Sequence, residues 1–131
     1  MWYPDNFQLF SNFPVSAGDV IHVTLNAISN TSGLVLMENV TKNHTVAQVV
    51  DSAHALCGTS AGWIVDHTGA GVGKTHPLAD FGTVKFTDAV AYGASGVNYE
   101  PEGATIWKIK HHGKVLTSVK TAGSSVTVRY V

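Results

Sequence analysis

Residues 58–87 hold three patterns whose residue types and spacing could do chemistry. The first is Gly58-Thr59-Ser60-Ala61-Gly62, which has the G-x-S-x-G spacing of a serine nucleophile and is followed by Asp66, Asp80 and several histidines. Such a nucleophile needs a strand before the serine, a helix after it and a large α/β sheet around it. Because this chain is short and a strand is predicted after Ser60, we interpret the pattern as a turn.

The second pattern is a Gly-rich loop, Gly69-Ala70-Gly71-Val72-Gly73-Lys74-Thr75, which is similar to a phosphate-binding loop. The expected spacing is G-x-x-x-x-G-K-[ST] between a strand and a helix, so that backbone amides and the helix N-terminus hold the phosphate. The position six residues before Lys74 is Thr68, and Pro77 follows shortly and opposes a helix. These residues therefore predict a loop between strands and no nucleotide site.

The chain has seven histidines, which raises the question of a metal site. Adjacent side chains on a strand point to opposite faces, so His111 and His112 are predicted to diverge. His67 and His76 flank the Gly-rich loop and could meet, but the sequence lacks the tight spacing of His, Cys and Asp ligands in a dedicated site. We therefore predict surface or turn histidines, with no metal and no cofactor.

The composition predicts one folded domain over residues 1–131. Hydrophobic residues make up 44% and charged residues 13%, so the chain has enough apolar surface to form a core. The net charge of −1 and a pI near 6.6 give no field that attracts nucleic acid. No apolar run approaches the ~20 residues of a membrane-spanning helix, and the N-terminus lacks the pattern of a signal peptide. We predict neither nucleic-acid binding nor membrane insertion.

The chain has one cysteine, Cys57, so an intramolecular disulfide is excluded. Small secreted domains usually need such crosslinks, so this one must rely on its core or on oligomerisation. The sequence leaves open whether Cys57 is free or links two chains.

The elements that must position these residues follow a period of two, which is typical of β-strands. Ile21, Val23 and Leu25 alternate with polar residues, which predicts a half-buried strand that pairs with the next one across a turn at residues 30–33. Residues 53–57 stay ambiguous between one helical turn and a loop. No segment keeps a helical period, so we predict an all-β antiparallel fold. The predicted strands are residues 20–28, 34–40, 46–50, 62–67, 81–91, 105–110, 115–119 and 126–131.

Three sequons are candidates for N-glycosylation, at Asn30, Asn39 and Asn43. They matter only if the chain enters a secretory pathway. Asn30 and Asn43 fall on predicted turns, where a glycan would be tolerated.

The third pattern of residues 58–87 begins near Trp63 and resembles the eqolisins, the fungal glutamic peptidases. Residues 61–66 (AGWIVD) are similar to the family's A-E-W-I-V-E segment, and residues 79–87 (ADFGTVKFT) are the best-matched stretch. The likeness spans essentially the whole chain, and several motifs in the same order are far more specific than one. The other matching segments are Trp2-Tyr3-Pro4 and residues 16–19, 38–41, 55–57 and 126–131.

The resemblance implies an antiparallel, lectin-like (concanavalin-like) β-sandwich that is truncated, because it covers only the C-terminal part of the family domain. Eqolisins use a glutamine and a glutamate to activate water and to stabilise the tetrahedral intermediate. The glutamine belongs to an N-terminal portion that this chain does not have. Gly62 stands where the family has the first glutamate of its segment, and Asp66 stands where it has the second. An acid displaced by ~1 Å can lose about 100-fold in rate, so we expect no peptidase activity, with Asp66 as a weak catalytic candidate.

Missing strands would leave unpaired edges and an apolar face, which the symmetric pairing of two chains would cover, so we expect a homodimer. The resemblance implies a former substrate groove lined by Trp2, Tyr3, Trp63 and Asp66. We expect this groove to bind a glycan or a peptide, as in lectin-like or immunomodulatory fungal proteins. The alternative is a residual acid hydrolase that uses Asp66 with Asp80 or a histidine. The resemblance also implies an extracellular location.

Overall fold

A computed structural model of the chain describes residue 5 and residues 8–66, 78–93 and 95–131. Within these residues all regular structure is β and every bonded pair of strands is antiparallel, as predicted. No helix that could span a membrane occurs in this part of the chain. The strands are β1 (Ile21–Ala27), β2 (Ser32–Asn39), β3 (His44–Asp51), β4 (Thr83–Phe86), β5 (Ala91–Tyr92), β6 (Asn98–Tyr99), β7 (Lys110–His111), β8 (Lys114–Val115), β9 (Thr117–Ala122) and β10 (Ser125–Tyr130).

The chain divides into two compact units, Met1–Thr59 and Ser60–Val131. The first unit contains a three-stranded sheet in the order β1-β2-β3, with Ile21 opposite Asn39. The hairpin that alternation predicts is therefore confirmed, and β3 extends beyond its predicted range at both ends. That the two units form one domain stays a prediction.

Strand β1 differs from its prediction in burial. The alternation predicts a half-buried strand, but Val23 is 50% exposed and Leu25 is 74% exposed. Both side chains, together with Phe10 and Val35, line an open cavity of about 480 Å³ in the first unit. The predicted alternation is correct. The predicted burial is wrong, because these apolar side chains line an open cavity instead of a packed core.

A buried polar cluster holds the start of β1 against the end of β2. Asn39 is fully buried, and its Nδ2 donates to the Pro14 carbonyl at 3.0 Å and to the Asp19 carboxylate at 2.8 Å. Its Oδ1 accepts from the backbone N–H of Lys42 at 3.0 Å. Burial of an amide is tolerated only when its polar atoms find partners, and both polar atoms of the Asn39 side chain do.

The second unit is built on a sheet in the order β4-β10-β9. Val126 and Val128 on the central strand β10 are buried and form the centre of a small core. Strand β4 alternates between exposed and half-buried side chains, as predicted, but it is shorter than the predicted range of residues 81–91. The edges of the predicted strand lie in turns, where Gly82 and Asp88 both have positive φ.

Two short hairpins complete the second unit. β5 pairs with β6 between residues 91 and 99, a hairpin that is absent from the predicted strands. β7 and β8 are joined by His112 and Gly113, whose φ angles of 47° and 78° are those of a type I′ turn. Because His112 lies in this turn, its ring contacts that of His111, with centroids 4.1 Å apart. Adjacent side chains face opposite ways only where both lie on a strand, and the turn at His112 removes that condition.

The strands predicted at residues 62–67 and 105–110 do not form ladders in the described part of the chain, apart from the start of β7. Residues 60–65 and 105–108 make no backbone hydrogen bond to any other residue that the structure describes. A strand needs a bonded neighbour as well as a period of two. Both segments show the alternation of period two, but neither has a hydrogen-bonded neighbouring strand among the described residues.

Candidate functional site

The second unit contains an open cavity of about 710 Å³, which we call the groove. One side is the apolar face of β9 and β10, where Val119 lies opposite Val128. The other lining comes from two extended segments, within residues 61–66 and 104–109. The fold thus brings together segments about forty residues apart in the sequence, and residues 60–65 and 105–108 of them make no backbone hydrogen bond within the described part of the chain.

Trp63 and Asp66, two of the predicted binding residues, both line the groove. Burial alternates along their segment: Trp63 and Val65 are half-buried, whereas Ile64 and Asp66 are exposed. Side chains two and four residues apart on an extended chain share a face, so Gly62 and Asp66 lie on the same face. The two positions that the family resemblance makes acidic are therefore on one side of this segment.

Steric crowding does not require a glycine at position 62. A Cβ atom at this position would meet only the side chain of Ile64, at 3.4 Å, which is ordinary van der Waals contact. The backbone of Gly62 is also outside the positive-φ region, where a side chain would be strained. Neither the backbone conformation nor the space around a Cβ atom therefore requires a glycine at this position.

The second extended segment contributes Trp107, which is exposed and lines the groove. Sequence reasoning placed this residue on a strand and did not assign it to the site. The available signal was the alternation of residues 105–110, in which Thr105, Trp107 and Ile109 share one face. This alternation indicates an extended segment but does not show which segment lies beside it. Trp107 is the functional candidate that the sequence missed.

The groove is mostly apolar. Among its lining residues in the described ranges, Asp66 and Lys108 are the only charged ones. Asp80, the second acid considered for hydrolysis, does not line the groove, and its carboxylate accepts a hydrogen bond from the Gly82 N–H at 2.9 Å. A carboxylate beside apolar side chains can orient a ligand that has polar groups next to its apolar ones.

Several predicted features lie outside the described residues. Trp2 and Tyr3, the other two predicted binding residues, are among them, as are the Gly-rich loop and the two histidines that flank it. Their assignment to the site stays a prediction.

The serine pattern at residues 58–62 does not build a nucleophile elbow. Ser60 is exposed and continues into an extended segment, whereas an elbow requires a helix after the serine. The nearby Cys57 is free and exposed, and the Thr59 hydroxyl, which donates to its sulfur at 3.6 Å, lowers the pKa of the thiol. Within the described ranges, no three His, Cys, Asp or Glu side chains come together as metal ligands would.

The asparagines of the three sequons differ in solvent exposure. Asn30 and Asn43 are exposed, and Asn43 has a φ of 49° in the turn between β2 and β3. Asn39 is buried, and the nitrogen that would carry a glycan donates both of its hydrogen bonds inside the protein. A glycan on Asn39 would have to displace these contacts, so the fold favours Asn30 and Asn43 over Asn39 as acceptors, and glycosylation itself stays a prediction.

Comparison with known proteins places these features in a family. The Peptidase A4 family profile matches residues 1–130. Aspergillopepsin-2 of Aspergillus niger is 40% identical over 132 residues, which cover 99% of this chain and 46% of that protein. The crystal structure of aspergilloglutamic peptidase from Aspergillus niger superposes with a TM-score of 0.80 at 40% identity, covering 100% of this chain and 77% of that chain.

A second solved relative is scytalido-glutamic peptidase with a peptide based transition state analog. It has a TM-score of 0.72 at 26% identity and covers 100% of this chain and 67% of that chain. The resemblance to the eqolisins and the predicted antiparallel β-sandwich class are thereby confirmed. The chain spans about half the length of the curated relatives it matches, which agrees with a likeness to part of the family domain.

Proposed function

Because the chain belongs to the Peptidase A4 family, we propose that its groove binds an extended peptide without cleaving it. The observation that carries this proposal is the pair of segments at residues 60–65 and 105–108, whose backbones have no partner among the described residues. An extended peptide can supply those partners by adding a strand, which gives affinity through main-chain hydrogen bonds. Alternate side chains of the peptide then contact the exposed lining residues Ile64, Ile106 and Trp107.

The exposed aromatic and aliphatic side chains of the groove support the same proposal. Trp107 is 85% exposed, and Ile64 is also exposed. Large aromatic side chains that become buried on binding contribute most of the affinity in protein interfaces. Asp66 and Lys108 add one charge of each sign, which suits a peptide with polar groups beside its apolar anchors.

The proposal excludes cleavage because the acids that would drive it are changed. Gly62 has no side chain, and Asp66 is one methylene shorter than the glutamate that the family resemblance places there. General acid–base catalysis requires a side chain within hydrogen-bond reach of the proton it moves. A carboxylate withdrawn by ~1 Å can lose about 100-fold in rate even when its chemistry is unchanged.

A peptide is favoured over a glycan because a solved relative holds a peptide based transition state analog. A lectin-like or immunomodulatory role requires a glycan or a receptor instead, and a glycan array probed with the intact chain distinguishes the two ligand classes. An extracellular location forms part of the proposal through family membership.

Calorimetric titration with a set of hexapeptides that differ in apolar content tests the proposal. We expect the Trp107→Ala variant to bind about 10-fold more weakly, which corresponds to about 1.4 kcal/mol. Tyr92→Ala is the matched control, because Tyr92 is a 79% exposed aromatic residue of the same unit that does not line the groove. Equal losses in both variants, or no binding of any peptide, would contradict the proposal.

The carboxylate of Asp66 in the groove favours a second candidate function, which is residual peptide hydrolysis in acid. Incubation of the same hexapeptides between about pH 2 and pH 5, followed by mass spectrometry, measures it directly. Under the main proposal the peptides stay intact. Cleavage that disappears in Asp66→Asn and persists in Asp80→Asn would establish hydrolysis instead.

A further inference from the structure

Strand β1 is an edge of its sheet, and its outward backbone groups can be identified. The Val40 N–H donates to the Val20 carbonyl at 2.9 Å, and the Ile28 N–H donates to the Ser32 carbonyl at 2.9 Å. Hydrogen-bonded and non-bonded pairs alternate along an antiparallel ladder, so the even-numbered residues of β1 bond to β2. The odd-numbered residues therefore direct their N–H and C=O groups away from β2. These outward residues are Ile21, Val23, Leu25 and Ala27.

The outer edge of β1 has none of the usual protection. Edge strands commonly carry Lys, Pro or inward-pointing charges, which oppose pairing with another chain. Residues 21–27 contain no Lys, Arg, Asp, Glu or Pro, and no hydrogen bond from the described residues reaches their outward groups. The apolar side chains of the strand are also open to solvent, since Val23 and Leu25 are half or more exposed.

The opposite edge of the sheet, β3, is different. Gln48 on this strand donates from its Nε2 to the Gln8 side chain at 2.8 Å. His44, the first residue of β3, lies 2.7 Å from the Asn12 carbonyl through its Nε2. The N-terminal segment therefore already contacts β3, and the strand ends at the charged Asp51. Within the described ranges, β1 is therefore the edge whose outward backbone groups have no partner.

We propose that β1 pairs with β1 of a second copy of this chain, antiparallel, with Thr24 facing the partner's Thr24 on a two-fold axis. This register is the one in which all four outward residues of each strand find an outward residue of the other. Each hydrogen-bonded pair makes two bonds, so the contact forms about eight backbone hydrogen bonds. The pairs are Val23 with the partner's Leu25 and Ile21 with the partner's Ala27, each occurring twice because a two-fold contact is reciprocal.

Side-chain chemistry is matched in this register. Val23 and the partner's Leu25 lie on the same face, so apolar groups meet apolar groups and the two apolar faces become continuous. On the other face His22 meets the partner's Asn26, and the two Thr24 hydroxyls are close enough to bond to each other. No like charges are opposed, because β1 carries no Lys, Arg, Asp or Glu. The strand is therefore complementary to itself in both hydrogen bonding and charge.

The proposed pairing is independent of peptide binding, since it uses the unit Met1–Thr59 and the groove lies in the unit Ser60–Val131. Sedimentation equilibrium of the full chain measures it, and we expect twice the chain mass of 13.9 kDa at micromolar concentration. Val23→Lys places a charge at the contact and is expected to raise the dimer dissociation constant at least tenfold. Val49→Lys is the control, because Val49 lies on β3 and is 54% exposed, close to the 50% of Val23.

A crosslink tests the register separately. In a Cys57→Ser background, Thr24→Cys places two thiols on the axis, where Cα atoms of a non-bonded antiparallel pair lie ~4.5 Å apart, within disulfide range. Asn26→Cys lies on the same strand and face, but the two copies of residue 26 are separated by four residues along the ladder, ~13 Å. We expect oxidation to link the first variant and not the second.

The outcomes decide the proposal. Loss of the dimer in Val23→Lys but not in Val49→Lys, with a crosslink at position 24 alone, supports it. A monomeric wild-type chain, equal weakening by both lysines, or equal crosslinking at positions 24 and 26 overturns it. Circular dichroism of each variant verifies that the sheet is intact, so that unfolding is not mistaken for dissociation.

Discussion

The ammonium group of Lys42 lies 2.8 Å from the carboxylate of Asp19, whose side chain is only 6% exposed. The same carboxylate oxygen accepts from the Asn39 amide at 2.8 Å and from the Ser16 N–H at 2.7 Å. Hydrogen bonds and an adjacent positive charge stabilise the ionised form of an acid. The Lys42 contact first, then the Asn39 and Ser16 hydrogen bonds, lower the pKa of Asp19 from 3.8 to about 2.

The pH dependence of stability follows from the direction of this shift. Because the pKa of Asp19 is lower in the folded chain than in the unfolded chain, the ionised carboxylate stabilises the fold above pH 3.8, and this contribution is lost as the pH falls through 2. We expect Asp19→Asn to unfold more easily than the wild type at pH 7 and by a similar margin at pH 5. Between pH 4 and pH 2 the difference in free energy of unfolding between the wild type and Asp19→Asn should shrink. Urea denaturation at each pH measures it.

Asp51→Asn is the control for that experiment, since Asp51 is exposed on β3 and makes no ion pair within the described residues. Its free energy of unfolding should follow that of the wild type at every pH. A margin for Asp19→Asn that does not change between pH 7 and pH 2 would show that the carboxylate has no ionisation-linked role.

Replacement of Asn39 by alanine is expected to lower the free energy of unfolding by about 3 kcal/mol. The substitution removes three hydrogen bonds, to the Pro14 carbonyl, the Asp19 carboxylate and the Lys42 N–H, and it leaves the largely buried carboxylate without one partner. A net hydrogen bond is worth about 0.5–1.5 kcal/mol, and an unsatisfied buried group costs about 1–3 kcal/mol. Chemical denaturation gives the value. Asn98→Ala, at an exposed position on β6, should stay within about 0.5 kcal/mol of the wild type. Similar losses in both variants would argue against a stabilising role for the cluster.

Gly113→Ala should destabilise the second unit by about 1 kcal/mol. Gly113 has a φ of 78° in the type I′ turn, where alanine is strained although no atom lies within 4 Å of its Cβ position. His112→Asn is the comparison, because asparagine tolerates positive φ and is favoured before glycine in this turn. We expect that variant to be as stable as the wild type or more stable. Thermal unfolding of the two variants ranks them, and the reverse ranking would contradict the turn assignment.

Glycan mapping of the chain secreted from a eukaryotic host is expected to find sugar at Asn30, Asn43 or both, and none at Asn39. Asn30 and Asn43 are exposed, whereas the Asn39 side chain is buried. Enzymatic deglycosylation in heavy-oxygen water followed by mass spectrometry marks each modified asparagine. Occupancy of Asn39 in the folded, secreted protein would contradict the observed packing.

Local patterns in the sequence predicted the features that depend on local structure. The β1–β2 hairpin and strands β3, β4 and β10 follow from alternation, which each strand expresses by itself. The strands predicted at residues 62–67 and 105–110 have the same alternation but do not form ladders, because a ladder depends on a neighbour that alternation does not specify. Tertiary context decides whether an extended segment becomes a strand.

The candidate site also combines residues that a local motif predicts with residues that only tertiary packing brings together. Trp63 and Asp66 were found because one motif contains both, and both line the groove. Trp107 was missed because its place beside them depends on packing between segments about forty residues apart. The burial of Asn39 was missed for the same reason, since its partners Pro14 and Asp19 precede it by 25 and 20 residues. A sequon is recognised over three residues and does not report such contacts.

The buried amide of Asn39 also sets an order of events during synthesis. In N-glycosylation the side-chain nitrogen of a sequon forms the bond to the sugar as the sugar's carrier leaves, and the fold uses that same nitrogen to hold Pro14 and Asp19. In a secreting cell the hairpin must close before the transferase reaches Asn39, because a sugar attached first prevents the cluster from forming. If the chain enters a secretory pathway, modification at residue 39 therefore depends on how fast the hairpin closes as well as on the stability of the fold.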